Sequence, residues 1–128
     1  MNILILCFTF FFHLADPFLD ATSDIISALN KGNSKEISKY FADRIDLRIL
    51  DKEELYSKVQ AESILEDFFT KRKVKCFKES HSSSAKSANQ FVVGVLETSS
   101  GKFRVSFFLK KSADKFLISQ MRIETSNE

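Results

Sequence analysis

Residues Lys102–Lys111 read KFRVSFFLKK and carry the clearest structural pattern in the chain. Apolar side chains occupy every second position, which predicts a β-strand with one face toward a core and one face away from it. The inward face carries Phe103, Val105, Phe107 and Leu109, and the outward face carries Arg104, Ser106, Phe108 and Lys110. This strand is therefore expected to form a wall of the core that amphipathic helices cover.

The sequence on either side of this strand also predicts β-structure. Candidate strands are Val74–Glu79, Phe91–Thr98 and Phe116–Thr125. The turns at Ser99–Gly101 and Ser112–Asp114 are short, so the last strands should form an antiparallel meander. The polar stretch Ser80–Asn89 is predicted to be a mobile loop. Gly94 lies inside an apolar strand and indicates a bulge or a bend.

The last predicted strand is apolar on both faces. Phe116 and Ile118 fall on one face by simple alternation, and Leu117, Met121 and Ile123 fall on the other. A strand that is apolar on both sides indicates that both faces of the sheet are at least partly covered. A second copy packed back to back would provide that cover.

The N-terminal half of the chain carries helix signals. Asp16 is a predicted N-cap and Pro17 a first helical residue, after which Phe18, Ile25, Ile26 and Leu29 share one face and Gly32 ends the helix. Asn33 and Glu36 form a second capping pattern. A short helix should follow, with Ile37, Tyr40 and Phe41 turned inward.

A strand and a longer helix are predicted next. Arg44–Leu50 alternates in hydrophobicity, and Asp51–Glu54 should form a turn or a helical turn. Ser57 and Gln60 have the spacing of a capping box, so the helix should begin there. Asp67 and Lys71 are four residues apart in the favourable order for an ion pair. The apolar stripe of this helix is Ala61, Ile64, Leu65, Phe68 and Phe69.

These elements predict an α+β domain in which three N-terminal helices pack on a strongly curved antiparallel sheet. Separate helical and strand regions of this kind give one layer of helices on one face of the sheet. The cone-shaped, nuclear-transport-factor-two-like fold has this architecture. We predict one such domain over residues 16–128.

Residues 1–15 form a separate apolar leader. The run ILILCFTFFFHLA at positions 3–15 is too short to span a bilayer but has the length of a signal-peptide core. We therefore expect export to the periplasm or cell envelope, with an uncleaved apolar leader as the alternative. After removal of the leader, no stable membrane span is expected.

Composition restricts the function classes. The chain has 128 residues and 44% hydrophobic residues, with 14 Phe, 2 Tyr and no Trp, which favours packing in a core. The net charge of +2 does not favour nucleic acid as a partner. A basic run begins at Lys71 and includes Lys73, Lys75 and Lys78. We interpret it as a helix C-terminus followed by an exposed strand edge that lysines protect against aggregation. Cys76 is expected to pack as a small hydrophobe, and we predict no metal site and no cofactor.

Several motifs together resemble a bacterial family of unknown function. They are YSKVQAE at 56–62, Phe68-Phe69, His81, the set Gly94, Leu96, Thr98, Gly101 and Arg104, and Ile118-Ser119-Gln120 with Arg122-Ile123-Glu124. Over about residues 17–124 the chain resembles domain-of-unknown-function family 4783. The resemblance implies export and a nuclear-transport-factor-two-like (cystatin-like) fold, and it implies no activity.

Six residues are candidates for binding: Tyr56, Gln60, His81, Arg104, Gln120 and Arg122. Arg104 and Arg122 are favoured because arginine suits planar, bidentate contacts at interfaces. Each has a structural alternative: Gln60 as part of a helix cap, Tyr56 as a packed ring, and the arginines as surface ion pairs. His81 lacks a recognisable catalytic partner, and no nucleophile motif is present, so no catalytic residue is predicted.

The sequence supports three functional hypotheses. The first is a non-enzymatic binding or assembly protein that takes a small ligand or an envelope protein as partner. The second is a small isomerase- or dehydratase-type enzyme that uses His81, Glu62 or Asp46 as a base within a cavity. The third is a structural homodimer subunit.

Overall fold

The computed structural model describes residues 17–83 and 89–127, with side chains from residue 21 onward. The helices are α1 (Pro17–Lys31), α2 (Ser34–Ser38) and α3 (Lys58–Lys71). The strands are β1 (Phe41–Ile49), β2 (Lys52–Ser57), β3 (Val74–Ser82), β4 (Asn89–Thr98), β5 (Gly101–Ser112) and β6 (Lys115–Thr125). The leader at 1–15, the Asp16 cap and the side chain of Phe18 lie outside this described part.

The helix boundaries follow the capping residues that the sequence indicates. Gly32 adopts φ 62°, its N–H donates to Leu29 O and the N–H of Asn33 donates to Ala28 O, which is a Schellman ending of α1. The side chain of Asn33 then accepts from the N–H of Glu36 and caps α2. Ser57 and Gln60 form both bonds of the predicted capping box at the start of α3. These predictions are confirmed.

The six strands form one curved, mixed sheet in the order β2-β1-β6-β5-β4-β3. The predicted meander from β3 to β6 is antiparallel throughout. The β1–β6 pair is parallel, so the prediction of a purely antiparallel sheet is wrong at this one pairing. Short links fix the direction of neighbouring strands only, whereas β1 and β6 are separated by residues 50–114.

The segment predicted as a turn at Asp51–Glu54 is instead mostly strand. Only Leu50 and Asp51 lie in the turn, with Leu50 at φ 57°, and β2 then pairs antiparallel with β1. Residues 52–55 of β2 are exposed, so this edge strand has no alternating pattern by which it could be recognised. The strand β1 also begins earlier than predicted, at Phe41, which is almost fully buried.

A bulge in β6 changes which side chains face the core. Ile118 lies opposite Leu109, whereas Gln120 lies opposite Phe108, so Ser119 is an extra residue. The alternation therefore changes phase, and Phe116, Ile118, Met121 and Ile123 are all buried in one core. The prediction that Met121 and Ile123 lie on the opposite face from Phe116 and Ile118 is wrong for this reason.

A second bulge lies beside Gly94, at the place where the glycine in an apolar strand indicated a bulge or a bend. The register shifts between Glu79 and His81 of β3, opposite Gly94 of β4, so the extra residue belongs to the partner strand. The hydroxyl of Ser80 donates to Val93 O at 3.1 Å. β3 thus continues to Ser82 and β4 begins at Asn89, which shortens the predicted loop from both ends.

The core lies between the helices and one face of the sheet. It includes the four inward residues of β5 that the alternation predicts, together with residues of all three helices. Helix α1 is also tied to β3, where the backbone N–H of Phe77 donates to Asn30 Oδ1 at 2.7 Å. In the part of the chain that the structure describes, no helix is long and apolar enough to cross a membrane.

Candidate functional site

Among the described residues, helices α1, α2 and α3 cover one face of the sheet and leave the other face open, and three of the predicted binding residues lie on this open face. This outer face carries Arg104 of β5 and Gln120 and Arg122 of β6, because Phe103, Val105, Met121 and Ile123 point the other way. Cross-strand register places Arg104 opposite Glu124 and Gln120 opposite Phe108. The sequence analysis therefore selected a group that the fold does bring together.

Three arginines and two glutamates of the outer face form a charge network. Arg104 Nη1 lies 3.9 Å from Glu124 Oε2, and Arg48 Nη1 lies 3.9 Å from Glu124 Oε1. Arg122 Nη2 lies 3.5 Å from Glu53 Oε1. These side chains are 34–53% exposed, and their separations are long for charge-assisted hydrogen bonds. Ion pairs of this kind contribute little to stability. Because the separations are long, the arginines keep N–H donors for another partner.

Gln120 lies within this network. With its amide oriented to suit its neighbours, its oxygen accepts from Arg122 Nε at 3.2 Å and from Arg122 Nη2 at 3.0 Å. The amide thereby fixes the guanidinium of Arg122 on the face of the sheet. An arginine held in this way loses less conformational entropy when it binds.

An aromatic pair borders the network. Phe91 of β4 and Phe108 of β5 face each other across the two strands, with ring centroids 5.6 Å apart. Both rings are half-buried, and Val93 and Val95 continue the apolar surface along β4. At the opposite side of the face, Leu55 of β2 is 56% exposed.

The other three predicted binding residues lie elsewhere. His81 is exposed on the edge strand β3, on the far side of the sheet from β2. Gln60 is exposed and engaged in the cap of α3, where its Oε1 accepts from the N–H and hydroxyl of Ser57 at 3.1 Å. Tyr56 lines a small apolar cavity of about 140 Å³ with Leu47 and Ile64. These three do not form one site with the arginines.

The acid and base candidates do not meet inside the fold. Asp46 lies on the outer face opposite Gln120, and His81 is exposed. Glu62 lines a polar groove between the helices. A general base in a hydrophobic cavity, which the enzyme hypothesis requires, is not formed by these three residues.

Cys76 also lies on the outer face rather than in the core, which corrects the prediction for it. It faces Glu97 across β3 and β4, and its thiol donates to Glu97 Oε2 at 3.4 Å. This hydrogen bond raises the pKa of the Cys76 thiol, with desolvation adding to the effect, and it lowers the pKa of the Glu97 carboxyl. Among residues 17–83 and 89–127, no group of His, Cys, Asp or Glu is arranged to hold a metal ion.

Sequence reasoning missed Arg48, Glu53 and Glu124 as members of the charge network. Glu53 lies in the segment that was predicted as a turn, so its place on the outer face was hidden. Arg48 does alternate with the buried residues of β1, and this signal indicates its face. Its closeness to Glu124 depends on the parallel β1–β6 pair, which has no local sequence signal.

Comparison with known proteins identifies the family. The sequence model of the family described as domain of unknown function DUF4783 matches residues 22–124. This chain belongs to the DUF4783 family. A search of curated proteins gives no match.

Solved structures agree with this assignment. A DUF4783 protein from Bacteroides ovatus is 38% identical, with a TM-score of 0.78 over 83% of this chain and 96% of that chain. One from Bacteroides uniformis is 37% identical, with a TM-score of 0.79 over 83% and 97%. An NTF2-like protein of unknown function from Cytophaga hutchinsonii is 11% identical, with a TM-score of 0.59 over 82% and 86%, and shows the shared fold. The predicted family and NTF2-like, cystatin-like fold are thus confirmed.

Proposed function

We propose that this DUF4783 protein is a non-enzymatic assembly protein that binds a second copy of itself through the outer face of the sheet. The observation that carries the proposal is the charge network of Arg48, Arg104, Arg122, Glu53 and Glu124 beside the Phe91–Phe108 pair. Arginine and aromatic side chains are the residues that contribute most to binding at protein interfaces.

The balance of charge favours a second copy as the partner. With Asp46 included, the outer face carries three arginines and three carboxylates in this region, so it is close to neutral and displays both signs. Such a surface complements itself under a two-fold rotation, whereas a strongly acidic or basic partner would meet like charges. The aromatic rings would become fully buried in the same contact.

The size of the face also suits a dimer. Strands lie about 4.8 Å apart and rise about 3.3 Å per residue, so the sheet presents a surface on the order of 800 Å². A stable interface typically takes about 800 Å² from each partner. The apolar leader at residues 1–15 supports the further proposal that assembly takes place after export, in the cell envelope.

Size-exclusion chromatography with light scattering tests the proposal on the full chain at micromolar concentration. We expect twice the mass of one chain for the wild type and one chain for Arg104→Glu and for Phe108→Ser. The matched control is Lys58→Glu, which makes the same charge change on the helical side and should remain dimeric. A monomeric wild type would refute self-association. A dimer that both Arg104→Glu and Phe108→Ser retain, as the control does, would refute self-association through the outer face.

A further inference from the structure

The helices enclose a polar groove on the opposite side of the molecule from the outer face. It has a volume of about 500 Å³, within the range of small-molecule sites. Residues of three helices line it, and we call it the helix groove: Lys31, Ser34, Lys35, Glu62, Glu66 and Thr70. Gly32 forms one corner of the groove and packs against β3, since an added Cβ would come within 2.9 Å of Val74 Cγ2.

The charges of the helix groove are divided between its walls. Lys31 ends α1 and Lys35 lies in α2, so both ammonium groups belong to one wall. Glu62 and Glu66 are one turn apart on α3, so both carboxylates belong to the other. Within residues 17–83 and 89–127, none of the four forms an ion pair within 4.0 Å. The groove thus keeps opposite charges apart across a space that a ligand can enter.

A serine hydroxyl is available for hydrogen bonding in the groove. Ser34 lines the helix groove and is only 9% exposed. Its side chain forms no hydrogen bond with any residue that the structure describes, although α2 is capped by its neighbour Asn33. The Ser34 hydroxyl can therefore form a hydrogen bond with a molecule that enters the groove.

We infer that the helix groove binds a small zwitterion, namely a short peptide with a free ammonium group and a free carboxylate. Glu62 and Glu66 receive the ammonium group, and Lys31 and Lys35 receive the carboxylate. Ser34 and Thr70 supply hydrogen bonds to the peptide between the two ends. A molecule with both charges satisfies both walls, whereas a simple anion or cation leaves one wall unpaired.

Titration of the ¹⁵N-labelled full chain with diglycine tests this inference by amide chemical-shift mapping. We expect saturable shifts confined to the amides of residues 31–35 and 62–70. N-acetyl-diglycine lacks the ammonium group and diglycinamide lacks the carboxylate, so each should bind at least tenfold more weakly. Equal binding of all three compounds would overturn the inference, and so would no saturation with diglycine or saturation at other residues.

A variant pair separates a specific site from general electrostatics. The double variant Glu62→Gln, Glu66→Gln should weaken diglycine binding at least tenfold while the circular dichroism spectrum stays unchanged. The control Glu54→Gln removes an exposed carboxylate on β2 and should bind like the wild type. The inference fails if the double variant binds as tightly as the control. Because Arg104→Glu lies on the outer face, loss of the dimer in that variant should leave diglycine binding intact.

Discussion

Gly94 of β4 lies so close to the ring of Phe77 on β3 that a Cβ at position 94 would come within 2.3 Å of Phe77 Cζ. The same Cβ would lie 2.5 Å from the backbone oxygen of Lys78, so movement of the ring alone cannot relieve the contact. The glycine therefore permits β3 to bulge at Ser80 and to stay packed against β4.

Replacement of Gly94 by alanine should lower the free energy of unfolding by about 1–3 kcal/mol, the usual cost of overpacking a core. Chemical denaturation measures the change. The double variant Gly94→Ala, Phe77→Leu should recover only part of the loss relative to Phe77→Leu alone, because the contact with the Lys78 carbonyl remains. If Gly94→Ala is as stable as the wild type, the close packing at this position is wrong.

The capping box of α3 gives a second prediction. The Ser57 hydroxyl accepts from the N–H of Gln60 at 3.3 Å, and this backbone group has no partner within the helix. Ser57→Ala should therefore cost about 1 kcal/mol of stability in chemical denaturation. Ser63→Ala, at an exposed position in the middle of the same helix, should cost nothing. Equal effects of the two substitutions would contradict a capping role for Ser57.

The bulge of β6 gives a third prediction. Deletion of Ser119 should move Phe116 and Ile118 to the outer face, because loss of one residue reverses the side-chain alternation. We expect loss of the cooperative thermal transition by circular dichroism. Ser119→Ala keeps the extra residue and should change stability by no more than about 0.5 kcal/mol. A deletion variant that melts like the wild type would show that β6 has no bulge.

The hydrogen bond between Cys76 and Glu97 gives a prediction about pH. The carboxylate raises the pKa of the thiol, so the reactive thiolate forms only at higher pH than usual. In a Cys7→Ser background, Glu97→Gln should move the midpoint of iodoacetamide alkylation against pH to a lower value. Glu54→Gln lies far from the thiol and should leave the midpoint unchanged. An unchanged midpoint in Glu97→Gln would rule out the interaction.

The sequence predicted most of the fold because the decisive residues act locally. The alternation of β5, the Schellman glycine at position 32 and the Ser57–Gln60 capping box each depend on residues a few positions apart. The edge strand β2 was missed because its first four residues, 52–55, are all exposed. The face of Met121 and Ile123 was assigned wrongly because the single extra residue Ser119 has no composition signal of its own.

The outer face was predicted only in part for a similar reason. Arg104 was identified because the alternation of β5 places it away from the core, and Gln120 and Arg122 were selected as polar residues of the last strand. Their partners Glu53 and Arg48 come from β2 and β1, and the parallel β1–β6 pair that brings these strands alongside is a long-range contact. The helix groove was not predicted, and of its lining residues only Glu62 was named, as a possible base. Its lysine wall depends on how α1 and α2 pack against α3.

Cross-linking of engineered cysteines tests most directly whether the outer face is the interface between copies. Ser106 of β5 lies on that face between Val93 and Arg122, and Ser63 of α3 is exposed on the helical side. In a background of Cys7→Ser and Cys76→Ser, Ser106→Cys should give a covalent dimer with a short bismaleimide, whereas Ser63→Cys should remain a single chain. A single chain from Ser106→Cys, or cross-linking as efficient through Ser63→Cys, would contradict assembly through this face.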